Sequence, residues 1–189
     1  TAANFLRDFY ISNKIGPALN TIDYFQPYQL NLPGKMYTFN YSFPSTLRGY
    51  DRYAQGDNFV DTQNVASVIE GEIYPESYLI ITGHLDHVGI NGDEVYNGAD
   101  DNGSGTVSIL EIAQAFQEAV EDGVRPKRSV VFLHVSGEEE GLLGSEYYVN
   151  NSLYPLENTF ATLNLDMIGR TDPNRGYEDE EYVYSIGSD

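Results

Sequence analysis

The sequence predicts an α/β fold: a three-layer sandwich whose mixed, mostly parallel sheet is covered by helices on both faces, with its C-terminal strands truncated. Three observations carry this expectation. Short apolar runs of strand length recur at residues 78–81, 130–135 and 160–165. Segments with helical apolar spacing lie between them, so the order is strand, helix, strand, helix, strand. The chain has 189 residues, 41% of them hydrophobic, which suits one domain able to bury about 70% of its unfolded surface.

Taken in order, residues 2–14 place Phe5, Leu6, Phe9 and Tyr10 close to i, i+4 spacing, a helix that Gly16-Pro17 stops. Residues 24–28 and 36–43 alternate as strands around a Pro33-Gly34 turn, and residues 44–62 are irregular. A short strand over 64–70 is followed by a turn at 74–77 and then the apolar run, so the two strands are expected to pair antiparallel. A helix over 103–121 turns Val107, Leu110, Ile112, Ala113 and Phe116 to the core. A strand over 129–135, a helix over 142–149 and a strand over 159–165 follow, and residues 183–186 begin another strand. The whole reads as one domain over 1–189, with a less constrained region at 1–63 and the core of the chemistry at 64–170.

Charge narrows the function. A net charge of −19 and a pI near 4.2 argue against a nucleic-acid binder and suit cations or positively charged substrate groups. No run approaches the roughly 18 apolar residues of a membrane span, so no membrane partner is expected. With no cysteine, any metal must be held by oxygen and imidazole. The chain opens at Thr1 without a signal-like segment, which suggests a processed product.

The stretch 83–105 holds two of the three histidines and four aspartates. His84 and Asp86 stand i, i+2 at a strand end, so both side chains leave on one face, where a carboxylate can orient a metal-bound imidazole. Asp100-Asp101-Asn102-Gly103 precedes a helix and reads either as a cap cluster or as ligands. Asp100, Asn102, Ser104, Gly105 and Glu111 also match positions of a calcium loop, but residues 88–99 will not form its entering helix. In Glu138-Glu139-Glu140, Glu139 fits a capping box with Ser136; alternatively one glutamate binds an ion while its neighbour takes a proton. Asp166 alone fits an Asx turn. His87 and His134 read as structural. What joins the rest is topology: His84, Glu138 and Asp166 each follow a strand directly, and ligands in such sheets sit beyond the strands' carboxyl ends. One histidine and three carboxylates on one rim, beside a spare glutamate, suit a pair of zinc ions roughly 3.5–4 Å apart.

The segments GHLDHVG, YNGADDNGSG, SGEEEGLLGSEYY and LNLDMIGR, in that order, resemble the zinc aminopeptidase family with co-catalytic metals. That family includes bacterial leucyl-type aminopeptidases, glutamate carboxypeptidases and glutaminyl cyclase relatives, and the resemblance spans about residues 64–170. It implies two zinc ions, with His84 and Asp166 binding one, Glu139 the other, and Asp100 bridging both; Asp101 is expected to follow Asp100 through a strained non-proline peptide, trans or cis. It implies catalytic roles for Asp86, orienting His84, and for Glu138, the general base that activates a metal-bridging water to cleave the N-terminal peptide bond of a peptide substrate. It also implies a secreted or periplasmic setting.

The family's second histidine ligand comes from beyond this chain's last residue. On that reading His84, Asp100 and Asp166 complete one site, the other holds only Asp100 and Glu139, and the isolated chain is weakly active or inactive. Alternatives are a glutaminyl cyclase-like acyltransferase using nearly the same residues with one zinc, a non-catalytic family member, and a calcium-stabilised domain.

Overall fold

In the computed structural model, residues 1–31, 59–91, 93–172, 174 and 182–187 are described. The expected strand over 36–43, its turn and most of the irregular stretch lie outside them. Helix α1 (Ala2–Ser12) starts where Thr1 Oγ1 accepts from the Asn4 amide at 3.3 Å, and it buries Leu6 and Tyr10. Strands β1 (Gly16–Pro17), β2 (Phe25–Asn31) and β3 (Phe59–Ile69) follow, then β4 (Tyr74–His84). A small hairpin, β5 (Gly89–Asn91) and β6 (Glu94–Tyr96), leads to a π-type turn at Ala99–Ser104 and helix α2 (Gly105–Glu121). Strand β7 (Arg128–Val135), helix α3 (Leu143–Asn150) and strand β8 (Thr159–Asn164) complete the elements.

The main sheet runs β1-β3-β7-β4-β8, with β2 also on β3. It is mixed, as expected: β7, β4 and β8 are parallel, while β1, β2 and β3 form an antiparallel wing. Two local expectations fail. The strand before β4 does not pair with it, because β7 enters between β3 and β4, antiparallel to one and parallel to the other. Residues 183–186 carry no strand.

Strand β7 shows why the sheet holds. Its residues are buried from Ser129 to Val135, as a central strand covered on both faces requires. Val130 and Phe132 pack with Leu6, Tyr10, Ile109 and Ala113 from α1 and α2; Val131, Leu133 and Val135 pack with Tyr148, Leu153 and Tyr154 on the opposite face. Each such side chain contributes about 1.5–3 kcal/mol on leaving water. The three-layer arrangement therefore follows from one uninterrupted apolar run, and it brings the ends of β4, β7 and β8 to a common rim.

Candidate metal centre

His84 ends β4, 2% exposed, with its backbone carbonyl accepting from Thr106 Oγ1 of α2 at 2.7 Å. Its Nδ1 donates to the Asp86 carbonyl oxygen at 3.0 Å, with the Asp86 carboxylate farther away at 3.7 Å. The imidazole is thus oriented by the backbone of Asp86, which leaves Nε2 facing the rim. There Nε2 meets Asp101 Oδ1 at 3.0 Å, Asp166 Oδ1 at 3.7 Å and Glu138 Oε2 at 3.9 Å. Burial opposes a charge on His84, but the Asp86 carboxylate, with Asp166 and Glu138, outweighs it and raises the pKa to about 9.

The Asp86 carboxylate has a separate task. Its two oxygens accept from the backbone amides of Glu138 and Glu139 at 3.2 and 3.4 Å, which fixes the corner after β7. Those contacts and His84 outweigh the cost of burial and lower its pKa. Behind the corner, Tyr28 Oη donates to the Ser136 carbonyl at 2.6 Å, and the Ser136 amide donates to Asn64 Oδ1 at 3.1 Å. Gly137 turns the chain at φ +73°, a conformation glycine adopts without a Cβ clash. The capping-box reading of Ser136 and Glu139 does not hold: Ser136 Oγ accepts and donates among Tyr28, Thr62 and the Gln63 carbonyl, and α3 begins only at Leu143. Glu138 has a raised pKa, chiefly from burial, with Glu139, Asp166 and Asp86 adding to it and His84 opposing.

The donors fall into two groups, each with its atoms within 4.8 Å of one another: His84, Asp101 and Asp166, and His87, Asp101 and Glu139. Asp101 belongs to both, with Oδ1 toward His84 and Oδ2 4.0 Å from His87 Nδ1. His87 Nδ1 lies 2.6 Å from Glu139 Oε1. The structure therefore brings His84, Glu138, Glu139 and Asp166 to one rim, with Asp86 behind them. It does not bring Asp100, the expected bridging residue.

Asp100 Oδ1 instead accepts from the Gly169 amide at 2.8 Å, and its other oxygen faces Arg170 at 3.8 Å. The shared position passes to Asp101, and the cis peptide lies one residue later than expected, at Asp101–Asn102. His87, read as structural, joins the second group. Its partner is 52 residues away, so no local pattern could have revealed it. Of the cap-cluster reading, one part stands: Asn102 Oδ1 accepts from the Gly105 amide at 3.0 Å where α2 begins.

The donor set fits zinc. Zinc bonds of 2.0–2.1 Å to nitrogen and oxygen at tetrahedral angles put ligand atoms about 3.3 Å apart, and the contacts from His84 Nε2, 3.0 and 3.7 Å, bracket that spacing. Among the described residues, the ion-pair partners of Asp86, Asp101, Glu138, Glu139 and Asp166 are imidazoles. So many carboxylates on one rim repel one another, and a divalent cation relieves that repulsion.

The chain is 31% identical over 127 residues to a probable zinc metalloprotease of Pyricularia oryzae, covering 66% of this chain and 24% of that protein. It is 34% identical over 108 residues to the aminopeptidase NAALADL1 of Mus musculus, covering 56% of this chain and 14% of that one. It thus spans about a quarter or less of the length of these relatives. A glutaminyl cyclase of Porphyromonas gingivalis shares the fold, with a TM-score of 0.59 at 18% identity over 88% of this chain and 51% of that one. The model of peptidase family M28 matches residues 64–185, which takes in both donor groups, and the chain belongs to that family.

Proposed function

We infer that the full-length protein is a zinc-dependent aminopeptidase, and one observation carries the reading: two donor groups sharing Asp101 stand beside Glu138. His84, Asp101 and Asp166 would hold one zinc ion; Asp101, Glu139 and His87 would hold a second. Bound there, zinc supplies Lewis acidity at a peptide carbonyl and makes water a nucleophile near neutral pH.

The remaining chemistry belongs to the chain. Glu138 stands 3.9 Å from His84 Nε2 with a raised pKa, which suits a group that takes a proton from the attacking water and passes it to the leaving amine. Asp86 holds the Glu138 and Glu139 amides together, so the proton carrier and the neighbouring ligand keep a fixed separation. The acidic rim draws in the protonated amino end of a peptide in preference to a carboxylate end.

Glu138→Gln in the full-length protein tests the assignment. Turnover of aminoacyl peptides is expected to fall by about 10²–10⁴-fold while zinc content stays at the wild-type level. Loss of zinc together with activity would make Glu138 a ligand instead of the base. Release of C-terminal residues, or cyclisation of N-terminal glutamine, by the unaltered enzyme would overturn the aminopeptidase reading.

A further inference from the structure

The turn carrying Asp166 is gripped by the segment carrying Asp101. Asn102 is 2% exposed, and its side chain bonds both neighbours of Asp166: Nδ2 donates to the Leu165 carbonyl at 2.9 Å, and Oδ1 accepts from the Met167 amide at 3.3 Å. Ser104 Oγ accepts from the Ile168 amide at 3.1 Å and donates to the Asp100 carbonyl at 2.7 Å. Asp100 Oδ1 accepts from the Gly169 amide at 2.8 Å. Three successive amides, 167 to 169, therefore end on side chains at 102, 104 and 100.

Room for this grip is made by glycines. A Cβ at Gly105 would collide with Asn102 Oδ1 and the Leu165 carbonyl, and one at Gly169 would lie 2.8 Å from Asp100 Oδ1.

We propose that Asn102, Ser104 and Asp100 form a clasp that positions the Asp166 carboxylate against Asp101 and His84. The physical need is clear. Asp166 lies just past the end of β8 with its side chain 37% exposed, and nothing in a strand end fixes where such a carboxylate points. Asn102 is bonded covalently to Asp101 and by hydrogen bonds to both sides of Asp166, so one buried amide sets the spacing of two donors. This role rests on reading His84, Asp101 and Asp166 as a zinc site. In the clasp itself Asp100 needs only an acceptor oxygen, and the contact of its other oxygen with the exposed Arg170 at 3.8 Å lies outside it.

The test uses the full-length protein, with zinc affinity measured by chelator competition and hydrogen exchange followed at amides 167–169. Asp100→Asn keeps an acceptor and is expected to bind zinc within about threefold of wild type, whereas Asp100→Ala and Asn102→Ala lose roughly 10–100-fold and exchange faster at these amides. Ser104→Ala, which removes the Ile168 contact, is expected to lose less affinity and to loosen Ile168 first; it decides the matter if the other alanine variants do not fold. Asp100→Asn failing as badly as Asp100→Ala would overturn the proposal, since charge and direct ligation would then be at stake. So would alanine variants, Ser104→Ala included, that exchange faster at 167–169 yet keep wild-type affinity. Wild-type protein that takes up no zinc would sink the metal reading itself, and the positioning role with it.

Discussion

Two histidines stand one register step apart on neighbouring strands and behave as opposites. His134 of β7 pairs with Gly83 of β4, and His84 is the next residue along. Both are nearly inaccessible, yet His84 is raised to about 9 and His134 is lowered to about 3. Burial pushes both toward neutrality. The difference is their company. His84 faces Asp101, Asp166, Glu138 and Asp86 at the rim, while His134 points into the apolar layer under α1, where its Nε2 is hydrogen-bonded to Tyr10 Oη at 2.7 Å. Depth in the fold does not make a histidine a ligand or a core residue. The carboxylates gathered around it do.

The largest effect expected from this contrast comes from removing the rim imidazole. His84→Ala takes the only nitrogen donor from the His84, Asp101 and Asp166 group and leaves the carboxylates to repel one another. Zinc content of the full-length protein should drop by about one ion per chain, with peptidase activity lost, as read by elemental analysis beside a turnover assay. Unchanged zinc content would mean that His84 is not a ligand, and the contrast would lose its functional side.

The interior histidine should instead register in stability against pH. The folded protein keeps His134 neutral far below its ordinary 6.5, whereas the unfolded chain takes up a proton there. Its contribution is therefore present above pH 6.5 and lost as pH falls toward 3. The slope is at most about 1.4 kcal/mol per pH unit. Urea unfolding between pH 6.5 and 5, compared with His134→Gln, isolates this slope from the rim carboxylates. Equal slopes in the two proteins would show that His134 is not held neutral by the fold.

The sequence already distinguished these two histidines, because their positions differ along their strands. His134 sits inside an apolar run and His84 ends one, and periodicity reveals that much. The order of helices and strands was legible for the same reason. The insertion of β7 between β3 and β4 was not, since pairing of residues 60 or more apart leaves no local trace. The rim was legible as a set of strand ends, but not which of two adjacent aspartates faces it. Asp100 and Asp101 are chemically identical, and only the backbone between Gly98 and Ser104 sends one carboxylate to the donors and the other to Gly169. His87 was missed for a related reason: Glu139 reaches it only through the meeting of two strand ends.

The smallest expected effect sharpens the interior side alone. Tyr10 and His134 share one hydrogen bond in the core, while His134 Nδ1 is buried without a partner among the described residues. Tyr10→Phe keeps the ring and its packing against Tyr24 and Phe132, but strands Nε2 as well. Leaving a buried polar atom unpaired costs about 1–3 kcal/mol, so the urea midpoint should fall with no change in its slope. Zinc affinity should not move, because the hydrogen bond removed joins Tyr10 to His134, which belongs to neither donor group. A variant that kept its stability would show that the bond adds nothing beyond the packing of the two rings. One that lost zinc affinity as well would show that the two histidines are coupled through the β4–β7 pairing, and the separation of rim from core would have to be given up.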